Sequence, residues 1–178
     1  MDIELSTTPD DSAEQENLET NDDDTLIEIA SNQRRVKIEK QDVPVENIHS
    51  RVQKGKIDLQ PDFQRNFVWD NTKSNRLIES LLLNIPIPII YVAEEPNGSW
   101  VVVDGQQRLT SITSFINGKY PNQREFRFSK LQVLEELNGK LFREMDEELQ
   151  NTIENTALRI IAIEKGSNPD VRFEVFGA

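Results

Sequence analysis

The chain has 178 residues, enough for one compact domain with a core, and its composition is 36% hydrophobic and 29% charged, as in soluble globular proteins. It contains no cysteine, which excludes disulfides, thiolate metal sites and cysteine-based catalysis within this chain. Its single histidine, His49, excludes a two-histidine zinc site and a His-Asn-His nuclease centre.

The formal net charge of −12 is concentrated at the N-terminus. Eleven of the 32 acidic residues lie in residues 1–30, which hold no lysine or arginine. The rest of the chain therefore has 21 acidic and 20 basic residues and is nearly neutral. Like-charge repulsion and few large apolar residues predict that residues 1–30 form a disordered acidic tail. Three roles fit such a tail: it solubilises the protein, it acts as an acidic mimic that competes with nucleic acid or docks on a basic partner, or it becomes ordered on binding.

No N-terminal basic stretch precedes an apolar run, and no stretch approaches the roughly 20 apolar residues of a membrane span. These features predict a cytoplasmic protein with no signal peptide and no contact with the membrane.

Short strands and one amphipathic helix are predicted near the start of the domain, residues 31–178, with the first strand-like segment at 25–30, just before that boundary. The segments "TLIEIA" and "RRVKIEK" alternate as strands do. The next segment, "VPVENIHSRVQKGKI", has apolar residues at helical spacing and a stop at Gly55. We expect His49 on the solvent side of this helix.

A helix and a hairpin follow. Asp70 is placed to cap the helix "NTKSNRLIESLLLN". Two prolines exclude a helix in "IPIPIIYVAEE", so we expect a linker that leads into a buried strand over 89–93. The Asn-Gly pair at 97–98 predicts a hairpin turn into a return strand over 100–103.

The last part of the chain predicts a helix that ends at Asn117-Gly118 and then smaller elements. These are a short strand near "EFRFS", the helix "MDEELQNTIEN" capped by Asp146, a strong strand "ALRIIAIEK", and a final helix from Pro169. The succession predicts an α+β fold, with helices packed on a small mixed sheet.

A polar cluster, Asp104-Gly105-Gln106-Gln107-Arg108, lies between the return strand and the next helix. The start of a helix attracts anions because its first N–H groups are unpaired. Gly105 permits a close approach of the backbone, and the Arg108 guanidinium is able to grip a phosphate. Gln106 and Gln107 offer hydrogen bonds to phosphate, ribose or water.

Asp104 leaves several alternatives open, because a carboxylate repels phosphate. It fits as the helix cap, as the partner of Arg108, as a ligand for a divalent metal, or as a group that orients an attacking water. An ordinary strand-to-helix turn without a ligand also has this sequence pattern.

A second cluster strengthens the phosphate interpretation. In "LQPDFQRNFVW", Gln64 and Arg65 are interleaved with aromatic residues, in a segment where Pro61 restricts the backbone. We expect Phe67 and Trp69 in the core. The hypothesis is that Arg65 and Arg108 converge on the phosphates of one ligand.

The order of three segments carries a resemblance to a known family. "LQPDFQRNFVWD", "RLIESLLLNIPIPIIYVAEE" and "VVVDGQQRLTSITSFINGKY" together resemble the DGQQR-motif family, the N-terminal domain type of GmrSD-like, modification-dependent restriction enzymes. This family lies within the ParB/sulfiredoxin-like superfamily. The resemblance runs from about Val45 to Phe176, and "LNGKLF" and "LRIIAIEKGSNPDVRFEVF" also look like later segments of the family.

The resemblance implies a ParB-like α+β fold and a domain that binds or hydrolyses nucleoside triphosphates in a system that senses or cuts foreign DNA. The DGQQR motif falls on residues 104–108. The family's Tyr-Gln-Arg motif falls on Phe63, Gln64 and Arg65, where phenylalanine lacks the tyrosine hydroxyl. Because the family usually continues into a further helical region, we expect a domain that is truncated where the chain stops at Ala178.

The favoured hypothesis is a nucleotide-binding domain with at most weak hydrolysis of a nucleoside triphosphate, with or without Mg²⁺. In it, the phosphates are held by Gln64, Arg65, Gly105, Gln106 and Arg108. The catalytic candidates are Asp104, which positions water or metal, and Gln107, which orients the ligand or water. The hypothesis leaves open whether the chain is an enzyme.

Two alternatives remain. One is an inactive regulatory module that binds a protein partner or a second copy of itself. The other, a DNA nuclease, is less favoured because a nearly neutral domain supplies little of the positive charge that DNA binding needs.

Overall fold

The computed structural model describes residues 36–59 and 69–165. Within these ranges a five-stranded mixed sheet is combined with four α-helices, so the predicted α+β class is confirmed. The strands are β1 (Ile38–Pro44), β2 (Ile57–Asp58), β3 (Ile90–Glu94), β4 (Trp100–Asp104) and β5 (Ala157–Ile163). The helices are α1 (Val45–Gln53), α2 (Asn71–Leu82), α3 (Gln106–Asn117) and α4 (Glu147–Asn155).

The sheet has the strand order β1-β5-β3-β4-β2. The β3–β4 pair is the predicted antiparallel hairpin, and β1 is antiparallel to β5. The β3–β5 and β2–β4 pairs are parallel, which makes the sheet mixed, as expected. Alternate residues of β3 face opposite sides: Val92 lies in the main core, and Ala93 lies in a small second cluster with Val103 and Ile163.

The main core lies between the sheet and the helices, and an aromatic cluster stands at its centre. Phe115 of α3 is fully buried and contacts three other rings. Its ring centroid lies 5.1 Å from that of Phe126, 4.5 Å from Phe128 and 5.7 Å from Phe142. Buried aromatic contacts of this kind dominate core energetics, so the second half of α3 is held chiefly by packing.

Two local predictions were wrong. The segment "EFRFS" forms an isolated bridge at Glu125 rather than a strand, because the N–H groups of Phe126 and Phe128 donate to loop carbonyls at Gly118 and Lys140. Asp146 does precede a helix, but its side chain makes no capping hydrogen bond. The predicted cap at Asp70 is confirmed, since its carboxylate accepts the Lys73 N–H at 2.8 Å.

His49 is not wholly on the solvent side. It is partly buried, and its Nε2 lies 2.8 Å from Asn117 Oδ1 at the end of α3. The acidic tail, the "TLIEIA" strand, Phe67 and the helix from Pro169 lie outside the described residues.

No helix in the two described ranges is long and apolar enough to cross a membrane.

Candidate functional site

The junction between β4 and α3 is built around a glycine. Gly105 has φ 103° and ψ 9°, a left-handed conformation that side chains rarely adopt. A Cβ at this position would lie 2.9 Å from Cγ1 of Ile90, which is fully buried in β3. The backbone therefore turns from strand to helix in a space that only glycine fits.

A β-bulge directly precedes this turn. Tyr91 pairs with Asp104, whereas Val92 pairs with Val102, so Val103 is an extra residue on β4. A bulge bends its strand and redirects the side chains beyond it. Here Val103 turns into the second cluster, and the Asp104 side chain is left 53% exposed.

Arg108 is turned inward. Its side chain is only 12% exposed. Nη1 donates to the carbonyls of Pro88 at 2.6 Å and Ile89 at 3.1 Å. Nη2 donates to Asp104 Oδ2 at 2.8 Å. These bonds engage three of the five guanidinium N–H groups. Arg108 thus joins the start of α3 to the linker before β3 and to Asp104, the carboxylate that was one of its expected partners.

The two glutamines have different surroundings. Gln106 is 6% exposed, and its buried side-chain Nε2 has no hydrogen-bond partner among residues 36–59 and 69–165. Buried amides are almost always paired, so an unpartnered one at a helix start needs an explanation. Gln107 Oε1 accepts the backbone N–H of Trp69 at 3.1 Å.

The start of α3 has no side-chain cap, because its N-cap residue is Gly105. The first hydrogen bond of the helix runs from the Leu109 N–H to the Gly105 carbonyl, at 3.0 Å. An uncapped first turn presents N–H groups and the positive end of the helix dipole to a ligand. The arrangement is suited to an anionic group at Gln106.

Two of the predicted site residues, Gln64 and Arg65, lie outside the described residues. The described chain resumes at Trp69, which contacts Gln107. The sequence hypothesis placed Trp69 in the core; its side chain is partly buried and packs against the core, and its backbone also touches the motif.

A polar seam, the buried pair of Ser74 on α2 and Ser111 on α3, lies between these two helices. The hydroxyls of Ser74 and Ser111 are both fully buried and lie 2.9 Å apart. Tyr120 lies near this seam and is 4% exposed. Burial raises the pKa of Tyr120 to about 12, against the smaller effect of a hydrogen bond with Ser74, so its hydroxyl stays neutral.

Beside the seam is a cleft of about 450 Å³. Its lining among the described residues is Trp69, Asp70, Asn71, Thr72, Tyr120, Asn122 and Arg124. The sequence interpretation missed this cleft, because its two sides are about 50 residues apart. The only local signal was Pro121-Asn122, a dipeptide typical of turns.

The described residues contain no group of three or more His, Cys, Asp or Glu side chains placed to hold a metal ion. Asp104 is an exposed single carboxylate at the motif. One carboxylate is sufficient for Mg²⁺ when phosphate oxygens and water complete the shell. A metal at this position would therefore need a phosphate ligand.

Residues 45–177 match the family model described as the GmrSD restriction endonuclease, N-terminal domain. The chain belongs to this family. The match includes the whole of the β4–α3 junction and the cleft. This match confirms the GmrSD part of the resemblance seen in the sequence.

A curated relative is the uncharacterized protein MJ0686 of Methanocaldococcus jannaschii, 41% identical over 76 residues. The aligned part covers 29% of this chain and 13% of the relative, so the chain spans only a small part of that protein. No solved structure matches the chain.

Proposed function

We propose that this GmrSD-type domain binds a nucleoside triphosphate, with its phosphates at the start of α3. The observation that carries the proposal is the buried Gln106 amide beside an uncapped helix start, an amide with no hydrogen-bond partner in the part of the chain that the structure describes. A phosphate oxygen at this point would accept from the amide and from the first-turn N–H groups at once. The left-handed Gly105 turn sets the start of α3 directly after β4, where its first N–H groups would face the phosphates.

In this proposal Arg108 holds the turn through its hydrogen bonds to three acceptors. Its remaining guanidinium N–H groups contact the phosphates. Asp104, which is exposed, would bind Mg²⁺ together with phosphate oxygens. Gln64 and Arg65 would complete the phosphate contacts. Gln107 supports them by its bond to Trp69, and it orients water if hydrolysis occurs.

The test is calorimetry with ATP, GTP and CTP in the presence of Mg²⁺. Gln106→Met keeps the length of the side chain and removes the amide, so we expect binding to weaken by about tenfold or more, the effect of losing a hydrogen bond to a charged group. Asp104→Asn should remove the gain in affinity that Mg²⁺ produces.

The matched control is Gln150→Met on α4, where the amide donates to the Met145 carbonyl at 2.8 Å and is remote in sequence from the motif. This variant should bind as the unmodified chain does. Equal affinity of Gln106→Met and the unmodified chain would exclude the α3 start as the phosphate site.

A second candidate function, a partner-binding module, is favoured by one observation. Ile85 and Ile89 are 51% and 38% exposed, and both line a groove of about 390 Å³ beside the Asp42–Arg159 ion pair. Exposed apolar patches often mark interfaces. A concentration-dependent increase in mass by light scattering, abolished in Ile85→Asp, would support this candidate.

A further inference from the structure

We infer that the cleft between Trp69 and the Tyr120–Arg124 turn holds the base of the nucleotide whose phosphates bind at the start of α3. The inference rests on the proposed function and adds to it a second subsite with its own chemistry. The cleft is walled by aromatic rings and edged by amides. This combination suits a flat heterocycle.

The cleft wall offers rigid aromatic surface. Tyr120 stacks on Phe126, with ring centroids 4.1 Å apart and an angle of 14° between the planes. Trp69 lies on the cleft and packs against the core on its other side. Aromatic side chains held in this way stack on any base, because every base has a π face.

A carboxylate at the cleft argues for a base rather than a phosphate there. Asp70 lines the cleft, is exposed, and keeps its carboxylate in place by accepting the Lys73 N–H. A phosphate beside this carboxylate would be repelled, whereas a neutral base would not be. The phosphates are therefore assigned to the α3 start and the base to the cleft.

Arg124 is placed to cover the base. In the described part of the chain its guanidinium forms no ion pair, whereas the nearby Arg127 is paired with Glu125 and Glu144. A guanidinium plane stacks on bases and aromatic rings. An exposed arginine at the mouth of an aromatic cleft is suited to this contact.

The turn that bears Arg124 is tightly held. The Tyr120 N–H donates to the Arg124 carbonyl at 2.8 Å, and the Gln123 N–H donates to the Tyr120 carbonyl at 2.9 Å. Gln123 has φ 67°, a conformation that non-glycine residues seldom adopt. Asn122 Oδ1 accepts the Arg124 N–H at 3.1 Å, which leaves the Asn122 amide N–H groups for a ligand.

The opposite side of the cleft adds a second amide, Asn71, at the first position of α2. Side-chain amides offer both donors and an acceptor, so Asn71 and Asn122 are able to bind the edge of a base. They provide the hydrogen bonds by which one base would be preferred over another.

Trp69 connects the two subsites. It lines the cleft, and its backbone N–H donates to Gln107 Oε1 in the first turn of α3. One turn further along α3, Ser111 contacts Ser74 of α2, which lies near Tyr120. A helical turn advances about 5.4 Å, so Gln107 and Ser111 lie one turn apart on the same side of α3, and Trp69 and Ser74 link that side to the cleft.

The test compares a nucleoside triphosphate with inorganic tripolyphosphate, which has the same phosphates and no base. Arg124→Ala, which removes a stacking contact, and Asn71→Ala, which removes hydrogen bonds to the base, should each weaken nucleoside triphosphate binding by about tenfold. Both variants should leave tripolyphosphate binding unchanged. Gln106→Met should weaken both ligands, because it acts on the phosphates.

The matched control is Arg143→Ala, an exposed arginine in the short helix Phe142–Glu144, which should change neither affinity. Tryptophan fluorescence adds an independent readout. In a Trp100→Phe background, Trp69 emission should change with the nucleotide and not with tripolyphosphate. Melting temperatures verify that each variant is folded.

The outcomes separate the two proposals. If the cleft variants bind the nucleotide as tightly as the unmodified chain, the base lies elsewhere, although the phosphate site stands. If they weaken both ligands equally, the cleft binds phosphate and the inference is wrong. If neither ligand binds the unmodified chain, the proposed function and the inference both fail.

Discussion

The two halves of α3 have opposite character, although they belong to one continuous helix. The first half, residues 106–111, buries three polar side chains beside Leu109, and two of its polar atoms, Gln106 Nε2 and Thr110 Oγ1, have no hydrogen-bond partner among the described residues. The second half, residues 112–117, buries Ile112 and Phe115 in the aromatic core. It also buries two hydroxyl side chains, Thr113 and Ser114, and the Thr113 hydroxyl donates to the Leu109 carbonyl at 2.8 Å.

The contrast between the two halves indicates that stability and binding are separated along the helix. Unsatisfied buried polar atoms cost free energy, so the first half is not optimised for the stability of the domain alone. The aromatic contacts of the second half offset that cost. Substitutions in the first half should therefore affect binding, and those in the second half should affect the free energy of unfolding.

The largest effect is expected at Phe115. Phe115→Ala removes a fully buried ring with three aromatic neighbours, and should lower the free energy of unfolding by about 3–5 kcal/mol. Urea unfolding measures this loss. By contrast, Gln106→Met should cost less than about 1 kcal/mol, since it removes an unpartnered amide. If Gln106→Met lowers the free energy of unfolding more than Phe115→Ala does, stability and binding are not separated along α3.

A smaller effect is expected from the two glycines at the ends of α3. Both have positive φ, 103° at Gly105 and 74° at Gly118, but a Cβ meets Ile90 at Gly105 and nothing within 4 Å at Gly118. Gly118→Ala should lower the free energy of unfolding by about 1 kcal/mol, because alanine disfavours this backbone conformation. Gly105→Ala should lower it by about 2–3 kcal/mol, because the close contact with Ile90 adds to the same backbone cost.

Thermal unfolding of the two glycine variants, side by side, measures the difference. Equal losses would mean that Ile90 moves aside freely and that the turn is less constrained than its packing indicates.

The smallest effect is a pH dependence from Glu79, in the second half of α2. Burial would raise the pKa of Glu79, but the backbone N–H groups of Leu134, Val133 and Gln132 donate to its carboxylate and leave the pKa below the ordinary value of 4.5. Ionised Glu79 therefore stabilises the folded state above about pH 4.5, and this contribution is lost as the pH falls through the folded pKa.

Urea unfolding between pH 7 and pH 3 measures how the free energy of unfolding depends on pH. This dependence should be weaker in Glu79→Gln than in the unmodified chain. Glu136→Gln, at an exposed carboxylate two residues beyond the loop that Glu79 holds, is the control and should leave the slope unchanged. Nucleotide binding at pH 7 should be unaltered in both. If the free energy of unfolding falls with the same slope against pH in all three proteins, Glu79 does not contribute to the loss of stability in acid.

Local patterns in the chain predicted much of this architecture. The cap at Asp70, the hairpin at Asn97-Gly98 and the glycine turn at Gly105 depend on neighbours within a few residues, so the sequence contains their causes. The "EFRFS" strand was wrong because Phe126 and Phe128 bond to a loop that only the folded chain brings near.

By itself, the sequence determined the α+β class, the position of the polar cluster between a strand and a helix, and the family. The partners of that cluster depend on the packing of distant segments: Arg108 is held by carbonyls about 20 residues earlier, and the Gln106 amide has no partner among the described residues. Tertiary structure also created the cleft between α2 and the turn at Tyr120–Arg124. The physical reason is that propensity and periodicity act over a few residues, whereas the pairing of a buried polar group depends on whichever distant segments pack around it.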